Sequence, residues 1–408
     1  MIDDPYIREI KNLILTVASR CRKCNYCYSV CPLYQSTRGF QVQGPSGILQ
    51  AMAYAIKWGE VDGAERNELR SILYSCTTCN SCTLKCKASC TGIPVLTAIE
   101  KGRALLIEKM IGPVPEQKTV LESLMLKGNS YDLPQGKRHD WLKALKKEKP
   151  LKCRMLPDGK PVDVLLFVGC TASYNEDVQD VARAMVTILE YMGVDYGILK
   201  EEKCCGSPAR RMGEEGLFEE LSSYLVDLAM KINPSRILTL SPHCYNTFVS
   251  EYPETVRRFH VQHYTQFLAE VMELNPDCVS RGVGARVTYH DPCYLSKQNS
   301  VTKAPRQVVE KMTEEGEFVE MRHHGEDSLC CGGGGGRIFW DPEETHRLSE
   351  TRVMEAMDTG AGILVTACPW CKIELEDAIK TLDVEEDIAV KDLAVLVSDR
   401  LLAAGAKL

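Results

Sequence analysis

Long apolar runs are absent: nowhere does the chain hold the roughly 18 uninterrupted apolar residues that a membrane-spanning helix needs, so any membrane connection is expected to run through a partner. Residues 1–8 carry neither a basic stretch nor an apolar core, so an export signal is not expected. Basic charge is scarce as well. Lys and Arg number 49 against 56 Asp and Glu, a net charge of −7, and the one dense basic group is Lys143, Lys146 and Lys147. That balance argues against nucleic acid as a partner and points to small molecules and proteins. With 408 residues, 44% hydrophobic and 26% charged, the chain is globular and long enough for two to four domains.

Cysteine is what the chain has in abundance. All but Cys153 and Cys278 of its twenty cysteines fall into four groups. In a chain of this length without an export signal, such groups read as reduced metal ligands and not as disulfides. A cytoplasmic, low-oxygen setting is expected.

Cys21, Cys24, Cys27 and Cys31, followed by Pro32, have the spacing in which three thiolates hold one iron–sulfur cube and the fourth reaches a second. Cys76, Cys79, Cys82 and Cys86 repeat it. The pattern assigns Cys21, Cys24, Cys27 and Cys86 to one cubane [4Fe–4S] cluster, and Cys76, Cys79, Cys82 and Cys31 to the other. Lys87 replaces the proline after Cys86, and Cys90 is a competing fourth thiolate. Structural zinc also favours C-x2-C, yet it does not account for a third cysteine at the same interval in both groups.

Residues 1–112 read as helices between cysteine turns, at Tyr6–Ser19, Gly44–Trp58, Ala64–Ser75 and Val95–Met110. Residues 113–161, with Pro113, Pro115, Pro134, Pro150, Pro157 and Pro161, read as a linker carrying a helical piece or two. An internal repeat follows. Val162–Cys170 matches Ala285–Cys293, Lys203–Gly206 matches Leu329–Gly332, and Ile237–Cys244 matches Ile363–Cys371, at a nearly constant offset. In each copy a strand leads to a helix, as in Asp177–Met192, then to a short strand such as Val194–Leu199. The double cysteine comes next, then a helix (Glu214–Ile232 or Pro342–Met357) and a buried strand. The expected fold is therefore α+β and multidomain, a helical two-cluster unit (1–112) ahead of two tandem parallel α/β cysteine-rich domains (162–280 and 281–408). Their cysteines should lie at strand ends.

The second copy gathers Cys293, Cys330, Cys331, Cys368 and Cys371, one thiolate more than tetrahedral zinc uses. Gly332–Gly336 allows close approach of backbone N–H groups to sulfur or to a substrate. No Lys-Ser/Thr follows the run, which argues against a phosphate cradle. His290, His323 and His324 flank the site and are candidate proton carriers, the plain alternative being surface or core histidines. Lys297, Lys303, Arg306 and Arg337 are either receivers of an anionic substrate or solvated charges. The first copy offers Cys170, Cys204, Cys205 and Cys244, with Ser241 standing where the second has Cys368. A cluster or zinc is expected there.

At these motifs, together with Ser241–Phe248, His290–Tyr294 and Cys330–Arg337, the chain resembles the D-type subunit of heterodisulfide reductase over nearly its whole length. The resemblance implies a non-cubane [4Fe–4S] cluster at Cys293, Cys330, Cys331, Cys368 and Cys371 as the catalytic centre. There a mixed disulfide of coenzyme M and coenzyme B would be reduced by electrons entering at two cubane clusters. It also implies redox partner subunits, a membrane cytochrome b-type subunit or a flavoprotein, which would hold the chain at the inner face of the membrane. The same superfamily contains iron–sulfur subunits of glycolate, lactate and glycerol-3-phosphate dehydrogenases. Resemblance to those implies a non-catalytic wire between a flavin dehydrogenase and a quinone-linked acceptor.

Overall fold

Short helices ended by glycine or by a cysteine turn build the first part of the chain. The structure is a computed structural model that describes residues 4–59, 66–340 and 347–403. Helices span Pro5–Arg20, Pro45–Trp58, Arg66–Tyr74, Ser81–Ser89 and Val95–Glu108. The Asp4 side chain accepts from the Tyr6 N–H, and Pro5 takes the first turn where its missing N–H costs nothing. Ile10, Ile14 and Val17 then fall on one buried face. Gly59, at φ +75, closes the Pro45–Trp58 helix in the left-handed conformation that glycine adopts without strain. The expected helices are present. Of the two that reach furthest, Ala64 and Glu65 of one and residues 342–346 of the other lie outside the described residues. Ser81–Ser89, which carries Cys82 and Cys86, was not expected as a helix.

The stretch 113–161, expected as a linker, is a packed part of the molecule. Helices Pro115–Lys127 and Asp140–Glu148 occupy it, and Leu124 and Trp141 are each 1% exposed. Proline is a misleading sign here because Pro115 sits at a helix start, where it helps. Trp141, Leu142 and Leu145 give the second helix its buried face.

Two parallel sheets follow. β1 (Arg154–Leu156), β2 (Val164–Phe167), β3 (Tyr196–Leu199), β4 (Arg236–Thr239) and β5 (His260–His263) form the first, in the order β1-β3-β2-β4-β5. β6 (Val287–Tyr289), β7 (Ile363–Thr366) and β8 (Ala389–Asp392) form the second, in the order β6-β7-β8. A single parallel bridge from Phe318 to Val287 stands where the first copy has β3. The second copy thus repeats the order β3-β2-β4-β5 with one strand shrunk to a bridge. The two copies share one core, in which Leu166 and Leu238 of the first cluster with Tyr289, Val365 and Leu393 of the second. The loops of Cys170, Cys204–Cys205, Cys244, Cys293 and Cys368 leave the C-terminal ends of strands, the position from which open parallel sheets present ligands, while the Cys330–Cys331 loop follows the bridge at Phe318.

Candidate metal centres

Five thiols converge at the end of the second sheet. Cys293 opens the helix Cys293–Asn299, while Cys368 caps the helix Pro369–Thr381 that carries Cys371 in its first turn. None of the five is more than 6% exposed. The Cys331 and Cys371 sulfurs are 3.3 Å apart. Cys330 is hydrogen-bonded through its side chain to Cys293 and Cys331, and Cys371 to Cys368. Side-chain hydrogen bonds with Cys330, then with Cys371, pull Cys331 down to about 6, whereas burial pushes Cys371 well up. A buried set of thiols that cannot all ionise together is what a metal centre resolves, because its charge neutralises several thiolates at once.

The second ferredoxin-like group touches this site. Cys79 bonds to Cys330 and forms one small cluster with Cys293 and Tyr294. Thr78 Oγ1 lies 2.8 Å from the Tyr294 hydroxyl. The glycine run explains how the two approach so closely: a Cβ on Gly334 would stand 2.3 Å from the Thr77 carbonyl oxygen, and one on Gly335 2.3 Å from that of Cys76. The run was expected to approach sulfur or a substrate. Gly332 N–H does reach Cys330 Sγ at 3.5 Å, but Gly334 and Gly335 face the backbone of the ferredoxin-like group.

Three of the four expected substrate cations are already engaged in structural contacts. Lys297 Nζ, buried, donates to Ser81 Oγ at 2.7 Å and to the Ser328 carbonyl at 2.5 Å. Arg306 pairs with Asp291 and Glu320, and Arg337 donates to the Ser75 carbonyl. Lys303 is exposed.

Within the ferredoxin-like part, Cys21, Cys24, Cys27, Cys86 and Cys90 line one cavity. The sulfurs of Cys24 and Cys90 are 3.5 Å apart, a proximity that spacing alone did not reveal, so both Cys86 and Cys90 remain beside the same trio. Cys31 senses Cys79 and Cys76, and Cys82 senses Cys76, Cys79, Cys31 and Cys27, so the two groups adjoin. Burial raises Cys27 and Cys76 to about 11.

In the first copy, Cys170 meets Cys204, and Cys205 Sγ lies 3.3 Å from Cys244 Sγ. Ser241 Oγ accepts from the His243 N–H and so caps the next helix. Arg138, from the supposed linker, donates to Cys170 Sγ at 3.4 Å and pairs at 2.6 Å with Glu202, the Arg138 and Glu202 side chains both at most 2% exposed. No local pattern signals Arg138, because its partners lie far away in sequence. His243, next to Cys244, stacks on Tyr294 at 4.0 Å and meets Trp370 edge-on at 4.3 Å, which joins the two cysteine sites.

Known proteins match over the same parts. A 4Fe-4S dicluster domain family matches residues 17–90, and a cysteine-rich domain family (CCG) matches 164–249 and 287–376. The D-type subunit of the dihydromethanophenazine:CoB–CoM heterodisulfide reductase of Methanosarcina barkeri is 31% identical over 402 residues, covering 93% of each chain. The chain belongs to the family of heterodisulfide reductase D-type subunits. Like other iron–sulfur proteins of this kind it is part of an oxidoreductase. Two further relatives are longer. EtfAB:quinone oxidoreductase of Syntrophomonas wolfei is 28% identical over 92% of this chain, which spans 57% of that protein. The probable iron-sulfur-binding oxidoreductase FadF of Bacillus subtilis is 29% identical over 82% of this chain, which spans 47% of its length. No helix among the described residues of this heterodisulfide reductase family member is long and apolar enough to cross a membrane.

Proposed function

We propose that this chain reduces a disulfide of the coenzyme M–coenzyme B class at its five-cysteine site, with electrons supplied through the two ferredoxin-like groups. The observation that carries the reading is the contact of Cys79 with Cys330, which leaves no intervening residue between donor and acceptor thiols. Cys21, Cys24, Cys27 and Cys86, with Cys90 as the alternative fourth ligand, would hold one cubane cluster. Cys31, Cys76, Cys79 and Cys82 would hold the second. Cys293, Cys330, Cys331, Cys368 and Cys371 would hold a non-cubane [4Fe–4S] cluster, and Cys170, Cys204, Cys205 and Cys244 a further cluster or zinc. When bound, the iron–sulfur clusters would supply one-electron transfer, two electrons and two protons turning one disulfide into two thiols, whereas zinc in the first copy would be structural only.

The chain's own residues shape access. A groove of about 1040 Å³ opens onto Cys330, with Lys85, Lys87 and Arg322 on its walls alongside Glu326 and Asp327. Those cations suit a substrate with anionic ends. His323, also on the groove wall, has its Nδ1 2.7 Å from Glu355 and its side chain 42% exposed. A second cavity of about 330 Å³ lies on the Cys331 side, against Arg337, Phe339 and Trp340. Redox partner subunits, a membrane cytochrome b-type protein or a flavoprotein, would supply the electrons and any membrane contact.

Ser241 and the likeness to EtfAB:quinone oxidoreductase support a second reading, a wire between a flavoprotein and a quinone-linked acceptor. An anaerobic assay of iron-replete protein with reduced viologen and the coenzyme M–coenzyme B heterodisulfide, simple disulfides serving as controls, separates the two. Turnover supports the reductase; full iron content without turnover supports the wire.

A further inference from the structure

His290 is buried at 1% exposure at the end of β6, and one of its ring nitrogens lies within 4.8 Å of the sulfurs of both Cys331 and Cys371. Those three groups would suit a mixed nitrogen–sulfur metal site, and the tautomer decides whether they form one. Arg352 Nε is 3.0 Å from His290 Nδ1. An arginine Nε always carries its proton, so it donates, and Nδ1 must present its bare lone pair. The imidazole proton therefore sits on Nε2, which is buried with no hydrogen-bond partner among the described residues, the cysteine sulfurs included. A protonated Nε2 cannot coordinate a metal, and the Nδ1 lone pair is occupied.

Arg352 is itself fixed. It is fully buried, its Nη1 donates to the His323 carbonyl at 2.8 Å, and it pairs with Glu355 at 2.5 Å. Glu355 also accepts from the His323 backbone N–H at 2.7 Å. Two side chains, Arg352 and Glu355, and the backbone of His323 thus hold one ring in one orientation.

We infer that the unpartnered His290 Nε2–H becomes a hydrogen-bond donor to a sulfur of this centre once the centre is occupied and is not one of its ligands, and that Arg352 is the positioning residue that fixes the donating tautomer. The inference rests on the cluster proposed at the five cysteines. An N–H aimed at sulfur stabilises the reduced, more negative state, so it raises the reduction potential of the centre it faces.

The test is an anaerobic reductive titration of iron-replete protein followed by electron paramagnetic resonance, with 15N-labelled histidine. In His290→Phe and in Arg352→Met, which leaves every thiol in place, the potential of the five-cysteine signal should fall while the ferredoxin-like signals stay put. His290→Gln and Arg352→Lys, each keeping a donor, should restore it in part. The wild type should show no nitrogen coupling of ligand strength. Unchanged potentials in both non-donating variants, or strong 15N coupling in the wild type, would overturn the inference. Absence of any five-cysteine signal in the wild type would overturn the cluster reading beneath it, a distinct failure seen before any variant is made.

Discussion

Lys297 shows what one residue contributes. Its ammonium ties Ser81 of the ferredoxin-like part to the Ser328 carbonyl beside Cys330, inside a buried contact. Lys297→Met leaves both oxygens short of a donor, and stability should fall by about 2–3 kcal/mol, read by denaturant unfolding of the iron-replete protein. Cys331→Ser acts on chemistry instead: disulfide turnover should vanish while the ferredoxin-like cluster signals persist. Asp392 provides a pH signature. Burial pushes its carboxyl up to about 7 from an ordinary 3.8, outweighing bonds from the Ala394 N–H and the Tyr264 hydroxyl. Below pH 3.8 both folded and unfolded forms are protonated and nothing is lost. Between that value and about 7 the unfolded chain ionises first, so stability declines as pH rises, by about 4 kcal/mol in all. Melting temperatures across pH 4–8 should show this decline in the wild type and a flatter profile in Asp392→Asn.

At the scale of elements, neighbouring glycines should behave differently. Gly334→Ala drives a methyl into the Thr77 carbonyl, a backbone atom that cannot step aside, and overpacking of this kind costs about 1–3 kcal/mol. At Gly333 the atoms nearest an added methyl belong to the Glu374 side chain, from 3.0 Å, and not to the ferredoxin-like backbone. Gly334→Ala should therefore slow electron transfer from the ferredoxin-like clusters to the five-cysteine site, and Gly333→Ala should leave it near the wild-type rate, as followed by stopped-flow spectroscopy. Equal rates in the two would contradict this reading of the glycine run. The run itself was legible in the sequence, but its partner was not, because the backbone of Cys76 and Thr77 reaches it through the tertiary fold. Strand ends and double cysteines could be placed from local pattern. The packed helices of 113–161 could not, since proline there marks helix starts as well as turns, and Arg138 finds Cys170 and Glu202 only after folding.

Across the whole molecule, Arg103 ties the parts together. One buried guanidinium donates to the carbonyls of Leu73 and Cys76 in the ferredoxin-like part, Arg211 in the first copy and Gly335 in the second. Arg103→Met should loosen all four contacts at once, seen as faster proteolysis with each cysteine group still able to load iron. The four cysteine groups were readable from spacing, yet nothing in the spacing said that Cys79 would stand beside Cys330, and the functional reading depends on that contact. The most direct test is a single turnover. Fully reduced, iron-replete protein is mixed anaerobically with the coenzyme M–coenzyme B heterodisulfide and freeze-quenched for electron paramagnetic resonance. Oxidation of the ferredoxin-like signals in step with release of free thiols is the expected result. Ferredoxin-like signals that stay reduced while the heterodisulfide remains intact would contradict the account.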